Sequence, residues 1–148
     1  MYSFEEELAK CKNNMITIKL SHLDLYRIDV FVRNLIKEKV SETHHQCDNG
    51  MEYKRFYTGI MGERAIELLF KERFIKWEIG DSKDYNFADL QSLGVNVGIK
   101  TVELNKFPII HKEPTRPEIV AVRLNENTIV VCGLATIDVL KSYQNDDL

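Results

Sequence analysis

Phe87-Ala88-Asp89-Leu90, then Val95-Asn96-Val97-Gly98-Ile99-Lys100-Thr101-Val102, is the stretch on which the fold turns. Apolar and β-branched residues recur in short runs, and Gly94 lies between them. That pattern predicts two strands joined by a loop. Asp89 and Lys100 then sit on successive strands. Side chains alternate along a strand, so Gly98, Lys100 and Val102 share one face, and Glu103 points to the other.

Downstream, Phe107–Pro117 carries prolines and reads as an irregular connection. Glu118–Leu124 is strand-like, Asn125-Glu126-Asn127 is a turn, and Thr128–Cys132 returns as a hairpin partner. Thr136 caps a short closing helix to Tyr143, with Asp138 in its first turn.

Upstream, Met15–Leu20 alternates apolar and polar residues, as a short strand or extended arm does. Ser21 offers an N-cap, with Asp24 three positions on. Leu25, Ile28, Val32, Leu35 and Ile36 follow at helical spacing, so a helix is expected over 21–40. Ser41–Gly50 is a loop by composition and the best candidate for a mobile segment. Tyr53–Tyr57 is aromatic and basic together. A second helix is expected over Thr58–Phe74, with Ile60, Ala65, Ile66, Leu69 and Phe70 as its apolar stripe. Gly59 and Gly62 in its first turn suggest close approach of another backbone. Trp77–Phe87 reads as a strand and loop, with a turn at Gly80-Asp81-Ser82. Helix, helix, grouped strands and a last helix argue for an α/β domain, a mixed sheet flanked by helices.

The 148 residues fit one domain, since folding units cluster near ~100–150 residues. Twenty Lys+Arg against 23 Asp+Glu give a net charge of −3, which excludes a histone-like protein that grips polyanions by bulk charge. A local basic face remains compatible with that total. Three widely spaced cysteines, Cys11, Cys47 and Cys132, suit a reducing compartment rather than a disulfide framework. The acidic start lacks the pattern of a secretory signal, and no run approaches the ~20 apolar residues of a membrane span. A cytoplasmic protein without a membrane partner is expected.

Glu63, Asp89 and Lys100 form the strongest chemical constellation. Hard oxygen donors suit Mg²⁺, which takes one or two carboxylates and keeps several waters. A lysine beside them can orient water and stabilise charge developing on a phosphate. The residues alone leave a plainer reading open, in which Glu63 and Glu67 are solvated, Asp89 caps a turn and Lys100 snorkels.

The order Gly59-Ile60-Met61-Gly62-Glu63, Ala88-Asp89-Leu90, Gly98-Ile99-Lys100, and a hairpin entering Cys132-Gly133-Leu134-Ala135-Thr136 resembles the PD-(D/E)xK, or restriction-endonuclease-like, superfamily. The resemblance covers about 57–143. It implies a restriction-endonuclease-like fold in which Asp89 binds the metal, Lys100 is the motif lysine, Glu63 is an outer ligand and the Ile99 carbonyl faces the metal. It also implies Mg²⁺ or Mn²⁺ as cofactor, DNA rather than RNA as substrate, and a homodimer.

One position departs from the pattern. The second acidic residue, two before the lysine, is Gly98, which cannot ligate. Either Glu67, one helical turn from Glu63, supplies the missing carboxylate, or metal binding is lost. In the second case the chain is an inactive module that binds nucleic acid or a protein partner, such as a phage or mobile-element accessory factor.

Other signals are weaker. His44-His45-Gln46-Cys47 lacks the second Cys/His pair that structural zinc needs. Cys132 in an apolar strand reads as a packed thiol. Lys54 and Arg55, between Tyr53 and Phe56, and the stretch with Lys106, His111, Lys112 and Arg116, are candidate nucleic-acid contacts. Each is equally readable as a solvated face.

Overall fold

The computed structural model describes residues 14–40, 51–78, 89–106, 108 and 113–142. Four strands, β1 (Ile16–Lys19), β2 (Gly98–Glu103), β3 (Glu118–Arg123) and β4 (Thr128–Ala135), form one mixed sheet in the order β1-β4-β3-β2. β1 and β3 both run antiparallel to β4, and β2 runs parallel to β3. Three α-helices accompany the sheet: α1 (His22–Val40), α2 (Glu52–Phe70) and α3 (Ile137–Ser142). The fold is α/β.

Local signals become local structure in several places. Ser21 Oγ accepts the Asp24 N–H at 3.1 Å, and the Asp24 carboxylate accepts the Ser21 N–H at 3.1 Å and its hydroxyl at 2.9 Å. That reciprocal pair starts α1 where the spacing demands. Asn125 Oδ1 accepts the Asn127 N–H at 3.1 Å and tightens the β3–β4 turn. Thr136 Oγ1 accepts the Val139 N–H at 3.3 Å and caps α3. The arm at Met15–Leu20 is a strand, β1, paired with Thr128–Val131.

Two expectations need correction. The second helix runs over Glu52–Phe70, not Thr58–Phe74. Thr58 and Gly59 look like a start, yet Tyr53, Phe56, Tyr57 and Ile60 already lie along the core-facing stripe. The helix stops because Lys71 adopts a left-handed conformation (φ 57°). Phe87–Leu90 is not a strand at its described end: Asp89 and Leu90 form a turn into one 3₁₀ turn, Gln91–Leu93. The following strand opens at Gly98 rather than Val95. Leu90 donates to the Val97 carbonyl at 3.1 Å and Val95 donates to the Leu90 carbonyl at 3.4 Å. The loop thus uses those backbone groups before the sheet can. The predicted loop over 41–50 and the turn at 80–82 lie outside the described residues.

Ile28 and Val32 of α1, Met61, Ala65 and Ile66 of α2, and Ile119, Ala121, Ile129 and Val131 of the sheet form one buried cluster. Burying such a side chain contributes roughly 1.5–3 kcal/mol. An exposed ion pair such as Arg33–Asp29 adds ~0–1 kcal/mol, so the core dominates. On the opposite sheet face Val122 and Val130 are buried as well. Gly62 sets how α2 meets the sheet: a Cβ there would lie 1.7 Å from Thr101 Oγ1 on β2. The close approach predicted at Gly62 is real, against a side chain. Gly59 has open space around it.

Candidate active site at the head of the parallel strands

The parallel register pairs Gly98 with Glu118 and Lys100 with Val120. Gly98, Lys100 and Glu118 therefore share one face where β2 and β3 begin. A Cβ on Gly98 would lie 2.0 Å from Glu118 Oε2. The Glu118 carboxylate fills the volume that a side chain at position 98 would occupy.

The turn at Asp89 docks onto the same end. Asp89 Oδ2 accepts the Ile99 N–H at 2.6 Å. The Gly98 N–H donates to the Pro117 carbonyl at 3.0 Å, which brings Arg116 and Glu118 alongside. It is thus the Ile99 amide that engages Asp89. Glu63 enters from α2, one residue beyond the Gly62 contact. Its side chain is partly buried, and it takes no hydrogen bond among the described residues.

The electrostatics follow from burial. Desolvation pushes the Glu63 carboxyl up to about 8, helped by the negative charges of Asp89 and Glu67. Burial raises Asp89 too, although the Ile99 amide, Arg116 and Lys100 pull it back. Burial raises Glu118, with Lys100 and Arg116 opposing and Asp89 reinforcing. Lys100 and Arg116 thus oppose the shift at Asp89 and Glu118, whereas Glu63 meets only the like charges of Asp89 and Glu67. Among the described residues no three His, Cys, Asp or Glu side chains group so as to hold a metal ion. The donors present suit Mg²⁺ or Mn²⁺ held by few protein oxygens and by water.

Glu67 has other partners. Its Oε2 accepts the Phe74 and Ile75 amides at 2.8 and 3.0 Å, and its Oε1 pairs with Arg64 at 3.0 Å. It is buried, and it folds the chain back after α2. Arg64 also bonds Asp24 at 2.9 Å, which ties α1 to α2.

The basic residues do not form one stripe. Lys54 and Lys106 both pair with Glu103, at 3.1 Å each, at the far end of β2. Arg116 lies at the near end, roughly 16 Å away along the strand at ~3.3 Å per residue. The Arg55 guanidinium lies 5.1 Å from the Phe56 ring centre. Lys112, His111 and the His44–Cys47 segment lie outside the described residues. Cys132 is partly buried in β4, its thiol near the Val130 carbonyl at 3.8 Å.

Sequence reasoning missed Glu118. Its only local sign is a carboxylate opening a strand after Pro117. Its importance depends on the β2–β3 register, which no motif encodes.

The chain matches no protein-family model, no curated protein and no solved structure.

Proposed function

We propose that this protein is a divalent-metal-dependent nuclease that hydrolyses phosphodiester bonds, with DNA as substrate. The observation that carries the reading is the Asp89 carboxylate held on the Ile99 amide at 2.6 Å at the head of β2, where the charges of Lys100 and Arg116 act on it. Asp89 and Glu63 would hold Mg²⁺ or Mn²⁺, and the Ile99 carbonyl is a further candidate donor. When bound, the cation would polarise the scissile phosphate and lower the pKa of a water molecule. Lys100 orients the attacking water and stabilises charge developing on the phosphate. Arg116, beside Asp89, binds a flanking phosphate.

A reducing cytoplasm suits this chemistry and the scattered cysteines. Among the described residues no helix is long and apolar enough to cross a membrane. A homodimer would present one such site to each strand of a duplex.

The test is cleavage of linear, circular and branched DNA with Mg²⁺, Mn²⁺ or EDTA. Wild type is compared with Asp89→Ala and Lys100→Ala. Metal-dependent cutting that both variants lose supports the reading. Cutting that survives both places the chemistry elsewhere. No cutting on any substrate favours a binding module built on the same domain.

A further inference from the structure

We propose that the outer face of α1 is a docking surface for an acidic amphipathic helix of a partner protein. The inference does not depend on the nuclease reading.

α1 has two apolar faces. Ile28, Val32 and Leu35 are buried. Leu23, Tyr26 and Val30 point outward and are 76%, 68% and 39% exposed. Single exposed apolar residues are ordinary, but these three recur at helical spacing on one side, and Arg33 and Lys37 continue the stripe. Leu23 to Lys37 spans about 21 Å of helix at ~1.5 Å per residue. A ridge of that length and spacing suits a second helix, which seats its own side chains in the grooves alongside. Both grooves are present. One of about 530 Å³ lies between Val30 and Tyr53 of α2, and one of about 510 Å³ lies between Val30 and Trp77.

Charge selects the occupant. Arg27, Arg33 and Lys37 line the grooves, and among the described residues no acidic side chain does. Asp29 pairs with Arg33 at 3.0 Å. The Arg27 guanidinium lies 4.1 Å from the Trp77 ring centre, which fixes its position and leaves its charge unneutralised. Among the described residues neither Arg27 nor Lys37 is in an ion pair. An apolar strip flanked by Glu or Asp would cover Leu23, Tyr26 and Val30 and answer both cations. A second copy of this face would bring the same cations against one another. A phosphate backbone would answer the cations but leave Leu23 and Val30 facing a solvated polyanion. A lipid surface is flat and would not fill a groove on each side of Val30.

The probe is a dye-labelled 16-residue peptide with leucine at the a and d positions, glutamate at e and g, and alanine elsewhere. Its glutamates keep it from pairing with itself at neutral pH. Binding to the full chain is read by anisotropy, and emission of Trp77, the sole tryptophan, reports whether this groove is filled. The same peptide with lysine for glutamate is the control. Leu23→Glu and Lys37→Glu are the variants, both at exposed positions that leave the fold intact, which circular dichroism checks. The acidic peptide is expected to shift Trp77 emission, and to bind at least about tenfold more tightly than the lysine peptide. Each variant is expected to weaken it by about tenfold or more. No binding of the acidic peptide to wild type would overturn the proposal. Equal binding of the two peptides, or binding unchanged in both variants, would do the same. Tighter binding of an oligothymidylate or of anionic lipid vesicles, lost in the same variants, would reassign the face and overturn it. So would a wild-type dimer in sedimentation that Leu23→Glu dissociates.

Discussion

Glu63→Gln separates the electrostatic cost of the site from its chemistry. The Glu63 carboxyl titrates near 4.5 when exposed and is raised to about 8 in the fold. Between those values the folded chain holds about one proton more than the unfolded chain. Stability then falls as pH rises, by ~1.4 kcal/mol per pH unit. The sign follows from the raised pKa. The contribution is fully present below about 4.5 and is lost as pH climbs through about 8. From pH 5 to pH 7 the loss comes to about 3 kcal/mol, a large fraction of a typical total of ~5–15 kcal/mol. Asp89 and Glu118 are raised as well and act with the same sign. Glutamine keeps the shape and removes the titration. Any cost of its buried amide is constant with pH and leaves the slope untouched. Urea unfolding of the metal-free chain in EDTA, at pH 5, 6, 7 and 8, reads the effect directly. The variant should gain about 3 kcal/mol on wild type between pH 5 and pH 7. Parallel stability–pH curves would refute the reasoning, because they would mean that Glu63 is not penalised by burial.

Other expectations are structural. Glu67→Ala leaves the Phe74 and Ile75 amides without their acceptor and takes one of Arg64's two carboxylate partners, so urea unfolding should show a loss of about 3 kcal/mol. Gly62→Ala drives a methyl into Thr101 Oγ1 and should cost ~1–3 kcal/mol, read as a lowered Tm. Thr101→Val keeps the shape and removes a buried hydroxyl that has no partner, so stability should rise by about 1 kcal/mol. Tyr53, which donates to Asp29 across α1 and α2, should titrate near the pH of about 12 to which burial and Asp29 raise it. Ultraviolet titration of wild type against Tyr53→Phe would measure this.

The parts of the fold legible in the sequence were those set by short-range chemistry. Ser21 and Asp24 announce α1 because a cap is settled within one turn. Asn125–Asn127 announces the β3–β4 hairpin for the same reason. Asp89 and Lys100 are read as neighbours, and the Asp89–Ile99 bond brings their segments together. The start of α2 was hidden because Thr58 and Gly59 have poor helix propensity, whereas the aromatic stripe before them supplies the packing that overrides it. Its end was hidden because Lys71 takes a conformation usually left to glycine or asparagine. Spacing alone can place a further carboxylate beside Glu63 only on α2, at Glu67. Glu118 was invisible because nothing in a linear motif specifies which residue of β3 lies beside Gly98.

The parallel pairing of β2 with β3 also sets the chain entropy of the acidic end. The Asp89–Ile99 bond closes a loop of ten residues, and Gly98 meets Glu118 across twenty. β1 reaches β4 across more than a hundred residues. Closure entropy grows with the logarithm of loop length, so the acidic end is entropically easier to close than the edge strand β1 is to dock.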